Sequence, residues 1–430
     1  MFCISLRSFF QYFWVWVLPQ SHKSSPFAPF AVKSFRYQWP ADLLNSWGFE
    51  METLILGWYI LSETNSVILL TIFGALRFIG ALLSPWFGLV GDRWGRRKLM
   101  YLMRGFMMLL SVIIMILGLL DTLNPYHVFV ISFFAGLVQP SDIVMRNALI
   151  GDSIPANMIM NASSVAKMAQ DAARLFGALL GAGMLSALGL GFAYISVVAV
   201  YLVSVILTMG VSRVHPRIDG TDNLVKRPER ISQLREFKEG LIYIWNSPSV
   251  MAILCLAFLA NLTAFPVSHG LMPFVAKDIL LIDENGLGHL LAAFAIGSLL
   301  GSFILAWIGN QKYSNKLMLI NLVAWYVMLV IFAQVESKHM ALVILVLIGI
   351  THSLAIVSMA AALLGVTDQM VRGRVIGVRM LAVYGIPLGL LASGFLVETL
   401  GFTAFVGIYA TTGIVLTIII GLKWRSVIWR

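Results

Sequence analysis

Long apolar runs, joined by short polar connections, decide what this chain can fold into. A helix needs about 20 predominantly apolar residues to cross a bilayer, and about twelve such runs can be laid along the 430 residues. They occupy positions 36–61, 66–90, 99–120, 126–149, 157–185 and 190–211, then 250–272, 286–308, 317–335, 340–364, 375–397 and 402–422. Only 12% of the residues are charged, about half the usual share for a soluble domain. Little length is left for a soluble domain, and the expected fold class is an all-α membrane protein with six spans on each side of a central break.

That break, residues 212–248, carries Arg213, Arg217, Lys226, Arg227, Arg230, Arg235 and Lys238 together with Pro216 and Pro228. It reads as a basic linker with a short amphipathic surface helix. The domain plan is therefore an extension over 1–35, disordered or surface-lying and without a small-residue cleavage site, a first bundle over 36–211, the linker, and a second bundle over 249–430. The formal charge of +10 is spread over loops flanking apolar runs, which excludes nucleic acid as a partner and points to cytoplasmic anchoring. Arg93, Arg96, Arg97, Lys98, the linker, Lys312, Lys316, Arg372, Arg374, Lys423 and Arg425 share one side if every run spans. The opposite connections hold Glu63, Asp121, Asp278, Asp283, Glu284, Glu336 and Glu398, with Lys277 and Lys338 as exceptions. Both termini are expected in the cytoplasm and the protein in the inner (plasma) membrane.

Cys3 and Cys255 are the only cysteines, so no disulfide framework or cysteine metal site is implied. The chain lacks a nucleotide-binding Gly-rich loop followed by Lys-Ser/Thr, and it lacks the common zinc-hydrolase and serine-hydrolase signatures. Neither a cofactor, a metal nor an enzymatic activity is expected.

Between the second and third runs stands Gly88-Leu-Val-Gly-Asp92-Arg93-Trp-Gly95-Arg96-Arg97-Lys98. This order resembles the signature loop between transmembrane helices 2 and 3 of the major facilitator superfamily of secondary transporters. Further segments resemble its exporter branch of enterobactin exporters and transmembrane secretion effectors: Leu56-Gly57-Trp58, Gly74-Ala-Leu-Arg77-Phe78, Gln139-Pro140 through Arg146-Asn-Ala148, Arg174-Leu-Phe-Gly177, and Thr367-Asp368 through Arg372-Gly373-Arg374-Val375. The resemblance implies the major facilitator fold, twelve transmembrane helices in two pseudo-symmetric six-helix bundles, with a substrate site at the midplane between them. Aligning Lys98-Leu99 with Lys316-Leu317 sets Gly91-Asp92 over Gly309-Asn310, as a diverged repeat would. Two positions depart from the branch. Ala178 stands where antiporters often have proline, and Phe49 stands where the branch commonly has Asp, with Glu50 beside it.

Several residues are candidates for function. Asp92, with Gly88, Gly95, Arg96 and Arg97 around it, can face a neighbouring helix N-terminus. Arg93 is expected to pair with Asp142, which lies one turn before Arg146, forming a cytoplasmic latch. Glu50 and Arg77 sit near mid-membrane, where ionisable groups are functional hypotheses by default. Either Glu50 exchanges a proton or it forms a static pair with Arg77. Glu52 is about 200° further round the helix and should meet a different environment. Lys167, Asp171 and Arg174 fall on one stripe as a self-neutralising ladder or an anion site, while Gly177 and Gly181 allow close helix approach. His352, like Asn261, His269, Arg379 and Tyr384, is a polar group in an apolar setting. It serves as a proton carrier or a hydrogen-bonded core residue. Pro266, Pro273 and Pro387 should bend their helices.

The sequence thus leads to a monomeric alternating-access transporter in the lipid bilayer, driving efflux of an amphipathic small-molecule substrate with protons. The alternatives are a lipid or lysophospholipid flippase or facilitator, and a non-transporting membrane sensor or scaffold.

Overall fold

A computed structural model describes residues 28–155, 158–211, 233–308, 314–367, 375 and 378–425, and all regular structure among them is helical. Helix α1 is Lys33–Thr64. The second apolar run is broken into α2 (Val67–Leu76), a 3-10 segment Ile79–Leu83 and α3 (Ser84–Trp94). Then come α4 (Arg96–Leu119), α5 (Pro125–Ser153) and α6 (Ile159–Gly210). After the linker, α7 (Gln233–Asn246) leads into α8 (Pro248–Thr263). The remaining helices are α9 (Glu284–Ile308), α10 (Ser314–Phe332), α11 (Lys338–Val366), α12 (Gly385–Leu400) and α13 (Phe402–Lys423). Nine helices among the described residues are long and apolar enough to cross a membrane.

The ends and breaks have local causes. Asn124 caps α5, accepting from the Tyr126 amide while His127 reaches back to the cap backbone. Gly189, at φ 77° and ψ 172°, turns the chain inside α6, so this long element is two helices meeting at a left-handed residue that glycine adopts without strain. Pro266 and Pro273 lie where the helix after α8 widens into π turns, Pro266–Gly270 and Val275–Ile279. Pro387 instead falls in the first turn of α12, where a missing amide is tolerated.

Of the expected extension, residues 28–35 are described and 1–27 lie outside the described residues. Phe30 is 2% exposed and packs with Phe35, Ile150, Ile154 and Ala162, because a large aromatic beside these side chains buries more apolar area than it would in water. Most of the linker lies outside the described residues, but its helix is present as α7, with Ile244 buried and Trp245 exposed.

One face of the molecule collects the short turns. Tyr59 donates to Leu123 O, and Thr403 to Ala333 O. Polar contacts between residues before 211 and after 233 gather at this face. Lys277 Nζ donates to Leu61 O at 3.0 Å and Asn65 Oδ1 at 2.6 Å, Asn285 Nδ2 to Ser186 Oγ at 2.8 Å, and Ser66 Oγ to Glu398 Oε1 at 3.4 Å. Lys277, an exception among the acidic turns, thus caps the C-terminal end of α1. Deeper inside, Tyr384 OH donates to Ile79 O and Phe78 meets Phe265 edge-on.

Backbones approach closely at glycines. A Cβ at Gly297 of α9 would lie 2.0 Å from Val346 O, and one at Gly349 of α11 would lie 2.2 Å from Phe294 O. Gly297→Ala is expected to destabilise the fold by about 1–3 kcal/mol through overpacking. Gly105→Ala, with nothing within 4 Å, should be neutral or stabilising by up to about 1 kcal/mol. Thermal unfolding of the two variants in detergent, followed by tryptophan fluorescence, checks the contrast.

Candidate functional site

An ionised side chain surrounded by apolar helices must be compensated inside the protein, and this chain arranges its charges in three clusters. The first joins α1, α4, α5 and α6 near the Gly95 turn. Arg104, 1% exposed, donates through Nε to Asp142 Oδ1 at 3.1 Å, through Nη1 to Thr208 Oγ1 at 2.7 Å and through Nη2 to Asp42 Oδ1 at 2.5 Å. Arg146 donates to Asp142 Oδ2 and to Ser46 Oγ, both at 3.0 Å, and Asn45 adds a third donor to Asp142. Two cations and two anions close on one another.

This corrects the expected latch. Arg93 is exposed at the end of α3, and Asp142 turns inward to Arg104, Arg146 and Asn45, because a buried carboxylate is better satisfied by several fixed donors than by one at the surface. The turn has other anchors: Arg96 holds Asp152 of α5 at 2.8 Å, and Arg97 donates to Met209 O. Gly95, at φ 90°, makes the turn between α3 and α4. Gly88 and Asp92 lie in α3, and the expected docking of Asp92 falls outside the described side chains. Asp42 and Arg104 escaped the sequence reading, although each interrupts an apolar run and so carried the usual signal of an intramembrane charge.

The second cluster centres on Glu52, 3% exposed. It accepts from Ser111 Oγ at 3.2 Å, Tyr201 OH at 3.3 Å and Arg77 Nη2 at 3.5 Å. Arg77 also lies over the Phe49 ring, 4.3 Å from its centroid. A crevice too narrow for a water molecule adjoins this pair, lined by Phe49, Glu52, Arg77, Met107 and Gln139 among others. The carboxylate bound to Arg77 is therefore Glu52, whereas the sequence offered Glu50; α1 presents position 52 to α2 and turns position 50 away.

Glu50 belongs to the third cluster. It accepts from Arg174 Nε at 3.2 Å, with the two side chains 25% and 24% exposed. Asp171, 1% exposed, is gripped by Lys167 at 2.5 Å and approached by Arg174 at 3.7 Å. Asp171 thus stands between two cations, as the spacing on the helix requires. A Cβ on Gly177 would come within 2.8 Å of the Glu50 Cβ, so this glycine lets α6 bring Arg174 against α1.

Across from this wall, residues after the linker supply an aromatic and imidazole surface. His269 stacks on Phe265 at 4.3 Å and meets Phe294 edge-on at 4.6 Å; His352 meets Trp325 edge-on at 4.8 Å, and the two imidazole centroids are 5.9 Å apart. His269 lies within electrostatic reach of Arg174, and His352 within reach of Arg174 and Lys167. Neither nitrogen of His269, nor Nδ1 of His352, has a hydrogen-bond partner. The candidate site is this gap, with Glu50, Arg174 and Lys167 on one wall and His269, Phe265 and His352 on the other. Asn261 and Tyr384 are structural, bonding Ala382 O and Ile79 O. No group of three metal-binding side chains occurs among the described residues.

Comparison with known proteins agrees with this architecture. A family model described as transmembrane secretion effector matches residues 24–428. No curated protein matches the chain. Among solved structures, the POT family transporter PepTSo superposes with a TM-score of 0.70 at 12% identity, covering 91% of this chain and 98% of that one. The nucleoside transporter NupG gives 0.67 at 13%, covering 90% and 98%. The human organic anion transporter MFSD10 gives 0.64 at 13%, covering 90% and 98%. Identities this low speak for the fold alone.

Removing one member of the first cluster leaves buried charge uncompensated, which costs about 3–5 kcal/mol. Arg104→Met is therefore expected to lower thermal stability strongly, and Arg93→Ala to change it by no more than about 0.5 kcal/mol. Combining Arg104→Met with Asp42→Asn should recover part of the loss, and thermal unfolding of the single and double variants reads the coupling.

Proposed function

Because the chain belongs to the transmembrane secretion effector family of the major facilitator superfamily, we propose that it carries an amphipathic small molecule across the membrane by alternating access. It is a transporter and not an enzyme. In this reading twelve spans form two six-helix bundles, counting α2 with α3 as one broken span and α6 as two. The acidic turns face outward, both termini lie in the cytoplasm of the inner membrane, and the protein acts as a monomer.

The observation that carries the reading is the clasp on the acidic-turn face. Its contacts are single hydrogen bonds at the ends of helices from different halves, Lys277 with Asn65, Asn285 with Ser186 and Ser66 with Glu398. Each is worth on the order of 1 kcal/mol, so the face can be shut in one state and open in another. The charged gap beneath it is reached when the opposite side opens. Family membership supports efflux as the direction. Glu50, partly exposed beside Arg174, is the group whose protonation is linked to movement, while Gly95, Arg96 and Arg97 hold the cytoplasmic turn and the cluster of Asp142 and Arg146 keeps the first bundle rigid.

Joining positions 186 and 285 should trap the closed face. In liposomes, Ser186→Cys combined with Asn285→Cys is expected to lose flux of an amphipathic dye on treatment with a short bifunctional thiol reagent, and single variants are expected to keep it. Unimpaired flux in the cross-linked double variant would remove alternating access at this face. Under an imposed pH gradient, Glu50→Gln should reduce gradient-dependent flux about tenfold or more. Flux indifferent to both gradient and substitution would instead indicate a facilitator or lipid flippase.

A further inference from the structure

We propose that the gap between Arg174 and His269 is a receptor for an organic anion, a carboxylate, sulfonate or phosphate ester on an apolar aromatic body, and that Glu50 is the internal anion it displaces. The inference rests on the transport reading only in taking this gap as the cargo site.

Arg174 spends Nε on Glu50 and lies 3.7 Å from Asp171, beyond hydrogen-bonding distance, so its terminal nitrogens have no hydrogen-bond partner. A guanidinium offers five N–H donors in a flat fork that fits two oxygens of one anionic group. Lys167, at 41% exposure, is the more open member of its pair with Asp171, which is 1% exposed. Trp47, one turn before Glu50 and packed beside Gly177, has a buried Nε1 with no acceptor. Each neutral imidazole of His269 and His352 carries one N–H, and three of their four nitrogens are without partners. The accessible charge is two cations against the single carboxylate of Glu50. Buried polar atoms without partners are rare in folded proteins, and Trp47 Nε1 and the imidazole nitrogens are such atoms, while the heads of Arg174 and Lys167 remain partly exposed. Phe265 and Phe294 supply flat apolar surface beside them, which suits a ring attached to the anionic group.

Glu50 occupies the place of the cargo's charge. The charges within electrostatic reach of it are Arg174, Asp171 and Lys167 from α6 and, bound to Glu52 on the other side of α1, Arg77. α5 directs Arg146 to Asp42 and Ser46 and Asp142 to Arg104, Arg146 and Asn45, with the α1 partners about one to two turns before Glu50. The segment Met272–Phe274, which also touches α1, brings no charge. A proton on Glu50 removes the internal anion and leaves Arg174 to the cargo, so cargo anion and proton favour each other's binding. The two then travel together. This is the opposite of the competition on which proton antiport depends, and export on these terms runs on the gradient of the cargo itself.

The test is equilibrium binding to the purified full chain in detergent, by titration calorimetry. The probes share one ring system: naphthalene-2-sulfonate, naphthalene-2-carboxylate, 2-naphthylmethanol and 2-naphthylmethylammonium. The sulfonate and carboxylate are expected to bind about tenfold or more tightly than the ammonium. Arg174→Gln should weaken the anions about tenfold and leave the alcohol unchanged. The sulfonate, ionised throughout, should bind more tightly at pH 5.5 than at pH 7.5, and Glu50→Gln should bind it tightly at both. This arm on the wild-type chain decides the matter even where Arg174→Gln does not fold. Preference for the ammonium, weaker sulfonate binding on acidification, unchanged anion binding in a folded Arg174→Gln, or no anion binding at all would each overturn the proposal. Sulfonate binding without flux in liposomes would keep the receptor and remove the transport reading. Flux of the ammonium without anion binding would do the reverse.

Discussion

A charge placed among apolar helices has no water to turn to, and most of what distinguishes this structure follows from how its interior charges find partners. Asp42, Asp142, Arg104 and Arg146 are all nine-tenths buried or more, and they satisfy one another through short hydrogen bonds from four helices. This network fixes the relative rotation of α1, α4, α5 and α6, since turning any of them would strand an ion at a cost of several kcal/mol. The third cluster is built differently. Glu50 and Arg174 share a single hydrogen bond at 3.2 Å and remain partly exposed, so either can exchange its partner at modest cost.

Packing follows the same division. Where helices stay together, glycines such as Gly297 and Gly349 let backbone touch backbone, and van der Waals contact over a long seam supplies attraction that lipid cannot. Where the two halves meet at the acidic-turn face, the polar joints are few-atom contacts at helix ends: an amine on the last carbonyls of α1, an amide on a hydroxyl. The halves also pack along apolar seams, α6 on α9 and α2 on α12, with Gly288 against Ala178 and Ala182 and Gly394 against Ile68 and Thr71, so opening this face parts those seams together with the polar joints.

Much of this was legible in the sequence. The apolar runs gave the helices, the glycine-bearing turn gave the α3–α4 reversal at Gly95, and the spacing of Lys167, Asp171 and Arg174 gave an acid between two cations. What escaped was the choice of partners. Helical phase says that Glu50 and Glu52 point in different directions, but which neighbour stands in each direction depends on the rotation of α2 and α6, and that is set by packing. The same limit explains Asp142, assigned to Arg93 because both lie near one membrane face, whereas depth along the helix places it beside Arg104. Asp42 and Arg104 were visible as charges in apolar runs and were overlooked because neither belonged to a motif.

The contrast between the first and third clusters separates scaffold from working part. Both contain two acids and two bases, so charge balance cannot distinguish them. Hydrogen-bond satisfaction can. Arg104 places each of its nitrogens on an oxygen, and a ligand arriving there would have to break several bonds to make one. Arg174 makes one hydrogen bond, through Nε to Glu50, with a terminal nitrogen 3.7 Å from Asp171, and both nitrogens of His269 and Nδ1 of His352 are unpartnered. A polar group left unsatisfied in a dry interior is unfavourable for the folded state, and that cost is relieved when a molecule enters and supplies the missing acceptors. Sites of this kind therefore favour the loaded over the empty state, and in a protein that alternates between two shapes, the same relief lets cargo decide which shape is stable.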